Sequence, residues 1–155
     1  MGEAVPASYA AVFGSRGLIN TDPDHGSGLF QRNSRNKASD IKDGMSNTFA
    51  VAERAALMAR APWAGVMTGG TVRTTPGAPV YTSIIELSPA MALARMGNRK
   101  LNSPYSEPYD FFSPHSGIVY MLYVDGHVKG VTPGTDMDTL HALSTINGRD
   151  TVGDH

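Results

Sequence analysis

The chain has no cysteine, which excludes disulfides, zinc–thiolate centres and thiol nucleophiles. That absence suits a reducing and an oxidising compartment alike. Charge is scarce as well: Asp, Glu, Lys and Arg make up 17% of the residues and nearly cancel, at −1. A nucleic-acid footprint needs a basic excess on one face, so no nucleic-acid partner is expected. No apolar run approaches the roughly 20 residues of a membrane span. Neither a basic n-region nor an h-region opens the chain, so neither a span nor a signal peptide is expected within it. Solenoid-period repeats, the P-loop, the Rossmann fingerprint, HExxH and the G-x-S-x-G elbow are all missing.

What is present fits one domain over 1–155, long enough to bury a core. With 17 Gly and 10 Pro, short strands joined by long turns are favoured over a helix bundle. The clearest local signal is Phe111–Val131, FFSPHSGIVYMLYVDGHVKGV. Two alternating runs, Ile118–Val124 and His127–Val131, flank Asp125-Gly126 and predict a β-hairpin with a two-residue type I′ turn, both central residues at φ > 0. Val119, Met121 and Tyr123 share one face of the first strand. Ile118, Tyr120, Leu122 and Val124 share the other. Both faces are apolar, which predicts a central strand covered on both sides.

Elsewhere the signals are weaker. Ser8–Val12 and Thr48–Ala52 read as strands, as does Tyr81–Ile85. Arg54–Arg60 and Pro89–Met96 have helix-forming composition, the latter with Pro in its first turn. Val66–Val80, rich in Thr and Gly, reads as loop or irregular strand. Trp63, the only Trp, reads as a core or rim anchor. Thr135–Gly148 is the clearest helix, with Asp136 or Thr135 as N-cap and Asn147-Gly148 as the stop.

Several residues invite a chemical reading. His115, Asp125 and His127 can ligate a metal or pair a base with its orienting acid. Strand geometry separates them, because His115 and Asp125 stand at opposite ends of one strand. The plainer reading makes Asp125 the positive-φ turn residue and His115 a cap on the strand entry. Glu53, at the end of the Thr48–Ala52 strand, is either catalytic or a hydrogen-bonded structural carboxylate. A Ser-His-Glu set drawn from Ser46 or Ser116, His115 and Glu53 is a further combination. Asp22, Asp24 and His25 lie in a loop that reads as a metal loop or, more simply, a solvated turn. Arg32, Arg35 and Lys37 read as a solvated basic stretch.

Three stretches together resemble the DUF1559 family of type IV pilin-like, PulG-like proteins. His115, nine intervening residues and Asp125-Gly126 match an H-X9-DG signature. Ile41-Lys42-Asp43-Gly44-Met45-Ser46-Asn47-Thr48, closing on Glu53, is similar to an ILxDGxSNT turn and strand. Asp138–Gly148 is similar to the terminal helix and its polar turn. Gly28-Leu29-Phe30 and Asn33-Ser34 fall where that family has a GVF…NS segment. Ser116-Gly117-Ile118 departs from the family's Pro-Gly-Gly, and His127 from its Ser. The family's prepilin leader and long apolar helix have no counterpart here, so the chain is expected to be truncated at its N-terminal side relative to the family.

The resemblance implies an α+β fold: an antiparallel sheet built on the Asp-Gly hairpin, a short C-terminal helix and long irregular loops. It implies the soluble head of a pilin- or pseudopilin-like protein, with a structural or secretion-associated role. Its partners would be protein, through self-association or pilin-like subunits, at the cell surface or in the periplasm. The alternative is a small ester or lactone hydrolase on the same head, using His115, Asp125, His127, Ser116 and Glu53. Pseudopilins as a class carry Ca²⁺ in a C-terminal loop, for which Asp136, Asp138, Asp150 and Asp154 are the available oxygen donors; no certain cofactor follows.

Overall fold

In the computed structural model, residues 7–19, 21–54, 70–73, 80–83 and 92–148 are described. Five strands form one sheet: β1 (Tyr9–Ser15), β2 (Phe49–Glu53), β5 (Leu93–Met96), β6 (Val119–Tyr123) and β7 (Val128–Val131), in the order β5-β1-β2-β6-β7. Strands β3 (Gly70–Arg73) and β4 (Val80–Ser83) pair separately, and helix α1 (Met137–Leu143) follows the sheet. The fold is α+β, as expected. The sheet is antiparallel except where β5 runs parallel to β1.

The core lies on one face of the sheet. Alternation along β1 turns Ala10 and Val12 inward, at 2% and 0% exposure, and leaves Tyr9 outward. Val119, Met121 and Tyr123 of β6 face the same way, as expected. Phe49, Met96, Leu101, Phe111, Leu140 and Leu143 complete the cluster, so α1 and the 97–112 loop together cover this face. Each large apolar side chain buried there contributes about 1.5–3 kcal/mol relative to exposure. Among the described residues, none covers the opposite face of β6, where Tyr120 is 41% exposed. The expectation of a strand buried on both sides is therefore corrected. Apolar alternation reports which residues share a face, not what lies upon it.

The hairpin exists, but its turn differs. Tyr123 N–H donates to His127 C=O at 2.9 Å and Gly126 N–H to Tyr123 C=O at 3.0 Å. The loop is thus three residues, Val124–Gly126, with a type I-like turn closed by a positive-φ glycine at +95°. Asp125 is not at positive φ, and His127 stands opposite Tyr123 rather than Val124. The extra residue shortens both strands to Val119–Tyr123 and Val128–Val131.

Other bounds shift too. The first strand runs on past Val12 to Ser15 through a bulge. Its Gly14, at φ +130°, lies so close to the 26–28 segment that a Cβ would come within 2.5 Å of Gly28 N. The second strand is Phe49–Glu53. The helix expected over Pro89–Met96 is a strand at Leu93–Met96. Its Leu93, Ala94 and Met96 are buried, and pairing with β1 overrides their helix propensity. Val80–Ser83 is strand, one residue earlier than expected, and Gly70–Arg73 is the strand within the Thr/Gly-rich stretch. Helix α1 has Asp136 as N-cap, accepting from Thr139 N–H at 3.0 Å, and ends at Leu143, well before Asn147-Gly148. Trp63, the stretch 55–60 expected as helix, and Asp150 and Asp154 lie outside the described residues.

The Ile41–Thr48 turn ties the chain's distant parts together. Lys42 N–H donates to Ile146 C=O at 2.7 Å, and Val124 N–H to Thr48 C=O at 3.0 Å. Asp43 Oδ2 accepts from Gly148 N–H at 2.7 Å and from Thr145 Oγ1 at 3.1 Å. One turn therefore holds both the hairpin loop and the segment after α1. Asp43→Ala removes two of these bonds and should lower the unfolding free energy by about 1–3 kcal/mol. Urea denaturation measures it. An unchanged midpoint would show that the carboxylate does not carry the junction.

Candidate functional site

The open face of the sheet carries the site. In β2 the alternation places Val51 and Glu53 on the face opposite Ala52. Cross-strand register sets Tyr9 beside Glu53, and Leu122 beside both Val51 and Val128. With Tyr120 and His115 these residues line a trough of about 510 Å³. Tyr9 and Val128 are each 61% exposed, so its walls are apolar and open to solvent.

A carboxylate–imidazole pair closes one end. Phe112 N–H donates to Glu53 C=O at 3.1 Å, which brings the 112–115 segment beside the end of β2. Gly117, at φ +77°, then turns the chain into β6. Glu53 is 7% exposed. Its Oε2 accepts from Tyr120 N–H at 2.8 Å, and its Oε1 lies 3.3 Å from His115 Nε2. The His115 ring also stands edge-on to Tyr120, centroids 5.7 Å apart. Glu53 thus orients the imidazole and satisfies a strand N–H at once. Chemically, the pair presents an oriented imidazole to the trough.

The five residues read as a catalytic set divide into two groups. Glu53 and His115 come together. Asp125 and His127 form a second pair at the far end of β6, on the order of 16 Å away by strand rise. There Asp125 Oδ1 accepts from His127 N–H at 3.1 Å and lies 2.6 Å from His127 Nδ1. The His127 backbone N–H, with the imidazole beside it, holds the Asp125 carboxyl below its usual range. His127 stacks on Tyr123 with centroids 3.9 Å apart. Ser116 is exposed and makes no hydrogen bond to His115. Ser46 lies before the start of β2, at the opposite end of that strand from Glu53.

Of the calcium candidates, Asp136 is occupied as the helix cap and Asp138 stands exposed in the first turn of α1. Among the described residues no group of three or more His, Asp or Glu is placed to hold a metal. In the 22–25 loop, Asp22 pairs with His25 at 2.6 Å and Asp24 with Arg32, so each carboxylate has its own basic partner.

Sequence reading missed the rest of the trough. Tyr9 and Val51 lie in strands whose sequence alone does not mark the outward face. Val51 and Glu53, two apart in a strand, were the available signal. It also missed Ser15 Oγ, 2.7 Å from the buried His141 Nδ1. Burial, with Arg16 nearby, lowers the pKa of His141, which keeps the ring neutral and ties β1 to α1.

A family model described as a protein of unknown function, DUF1559, matches residues 8–138. No curated protein and no solved structure matches the chain.

Glu53→Ala strands the Tyr120 N–H and should cost about 1–3 kcal/mol. His115→Ala removes a side chain that is 56% exposed, and should cost less than about 1 kcal/mol. Chemical denaturation of both variants checks this. Equal losses would mean that the imidazole, not the strand N–H, is what the carboxylate serves.

Proposed function

The chain belongs to the DUF1559 family, and from that premise we propose a structural, protein-contact role as the head of a pilin- or pseudopilin-like protein. The observation that carries this reading is the open apolar face formed by Tyr9, Val51, Tyr120, Leu122 and Val128. A contiguous exposed patch of this kind marks an interaction surface rather than ordinary surface. It crosses four adjacent strands, β1, β2, β6 and β7. Three inter-strand steps of about 4.8 Å give a width of about 14 Å. An α-helix with its side chains is about 10–12 Å across. The trough therefore suits one apolar helix, the element that the family resemblance supplies as occupant. A cell-surface or periplasmic setting accompanies this reading.

A second reading, hydrolysis of esters or lactones, is favoured by one observation, the Glu53–His115 pair at the trough's end. Against it, no described hydroxyl is hydrogen-bonded to the His115 imidazole to serve as nucleophile; Ser113 Oγ meets only the backbone N–H, at 3.2 Å. The two readings part in one experiment. A fluorescent apolar helical peptide of about 20 residues is titrated against the purified chain, alongside a panel of chromogenic esters and lactones with Ca²⁺ or EDTA. Leu122→Asp and Val128→Asp should weaken peptide binding by about tenfold or more, with the circular dichroism unchanged. No ester or lactone should turn over. Peptide binding indifferent to both substitutions, or turnover that His115→Ala abolishes, would overturn the structural reading.

A further inference from the structure

A second recess lies away from the trough, where β5 leads into the 97–110 loop. Arg95, Gly97, Asn98, Arg99, Glu107 and Asp110 line about 220 Å³. Arg95 N–H donates to Tyr109 C=O at 2.8 Å, which brings Asp110 alongside the end of β5. Asp110 is 3% exposed. Its Oδ2 accepts from Glu107 N–H at 2.8 Å, and the Arg99 Nη1 cation stands 3.9 Å away. That same nitrogen lies 2.6 Å from Glu107, whose other oxygen is 3.3 Å from Arg95. The two guanidiniums thus serve Glu107 closely and Asp110 only loosely. Burial accordingly pushes the Asp110 carboxyl up to about 6. Arg95 Nε is buried without a hydrogen-bond partner. Gly97 makes the room: a Cβ there would sit 2.6 Å from Asp110 Oδ1.

We propose that this recess binds a small α-amino acid as its zwitterion, the ammonium on Asp110 and the carboxylate on Arg99 and the Asn98 amide. The balance of charge selects the class. Two cations and two anions line the recess, so a ligand of net charge would upset that balance beside the buried Asp110. A zwitterion keeps the balance and meets both signs. An ammonium brings Asp110 a cation closer than the 3.9 Å of Arg99, with charge-assisted hydrogen bonds. The recess is small against the 300–1,000 Å³ of pockets for drug-sized molecules, which restricts the ligand to a short side chain.

Calorimetry of the intact chain with glycine, L-alanine and L-serine tests this, with ethylammonium and acetate as single-charge controls. At least one amino acid should bind, and each control should bind about tenfold more weakly or worse. Gly97→Ala and Asp110→Asn should each weaken binding by about tenfold. Arg99→Gln, at a side chain 38% exposed, gives the same readout if the buried substitutions fail to fold. Affinity should fall as the pH drops below about 6, because a protonated Asp110 no longer attracts the ammonium. No heat from any of the three up to about 10 mM, or heats matched by acetate or ethylammonium, would overturn the proposal. The ion network would then be a staple for the loop alone.

Discussion

The carboxylate of Glu53 is the constraint on which this arrangement depends. It stands at the end of the central strand β2 and is almost fully buried. One oxygen accepts the N–H of Tyr120 in the neighbouring strand, and the other faces His115 in the segment that enters that strand. A buried carboxylate without partners is costly, so its position is set by the donors it finds. Here those donors come from β6 and from the segment leading into it. The carboxylate therefore fixes how the hairpin meets the rest of the sheet, and the trough's polar end is the visible consequence.

The Ile41–Thr48 turn plays the matching part at the other end of β2. Its backbone and Asp43 bind the segment after α1, and Thr48 binds the hairpin loop. Between them, these two anchor points draw the chain's separate motifs together. The Asp-Gly-x-Ser-Asn-Thr turn, the Glu that closes the following strand, the His before β6 and the Asp-Gly loop after it are separate in sequence. In space they bracket one strand pair, β2 and β6. The H-X9-DG spacing spans β6 and its approach: its two ends are where the strand is tied, His115 to Glu53 and the 124–125 loop to the Met45–Thr48 turn. The same spacing that suggests a catalytic set is accounted for by strand length.

A one-sided core leaves the sheet with two different surfaces. Helix α1 and the 97–112 loop close one face, and the other keeps an apolar trough. The covering loop has a polar recess of its own, made where Gly97 gives way to Asp110. The two recesses differ in chemistry: one is apolar with a single polar pair, the other is lined by balanced charge.

The sequence by itself determined the elements whose signals are local. The Asp-Gly hairpin, the Asp136-capped helix and the Asp43-Gly44 turn follow from residues a few positions apart, because turn geometry and capping are short-range physics. The inward face of β6 was legible from alternation alone. Where a local signal met a tertiary demand, the tertiary demand won. Leu93–Met96 is a strand because β1 offers it a partner, and the hairpin takes three loop residues rather than two. Only the tertiary structure decided that Glu53 meets His115, that Asp125 pairs with His127 instead, and that Asp110 sits under Gly97. The first joins segments far apart in sequence, and the others depend on how the loop and the hairpin turn fold. No periodicity records them, because they are set by how strands order in the sheet and by which buried charges must find donors.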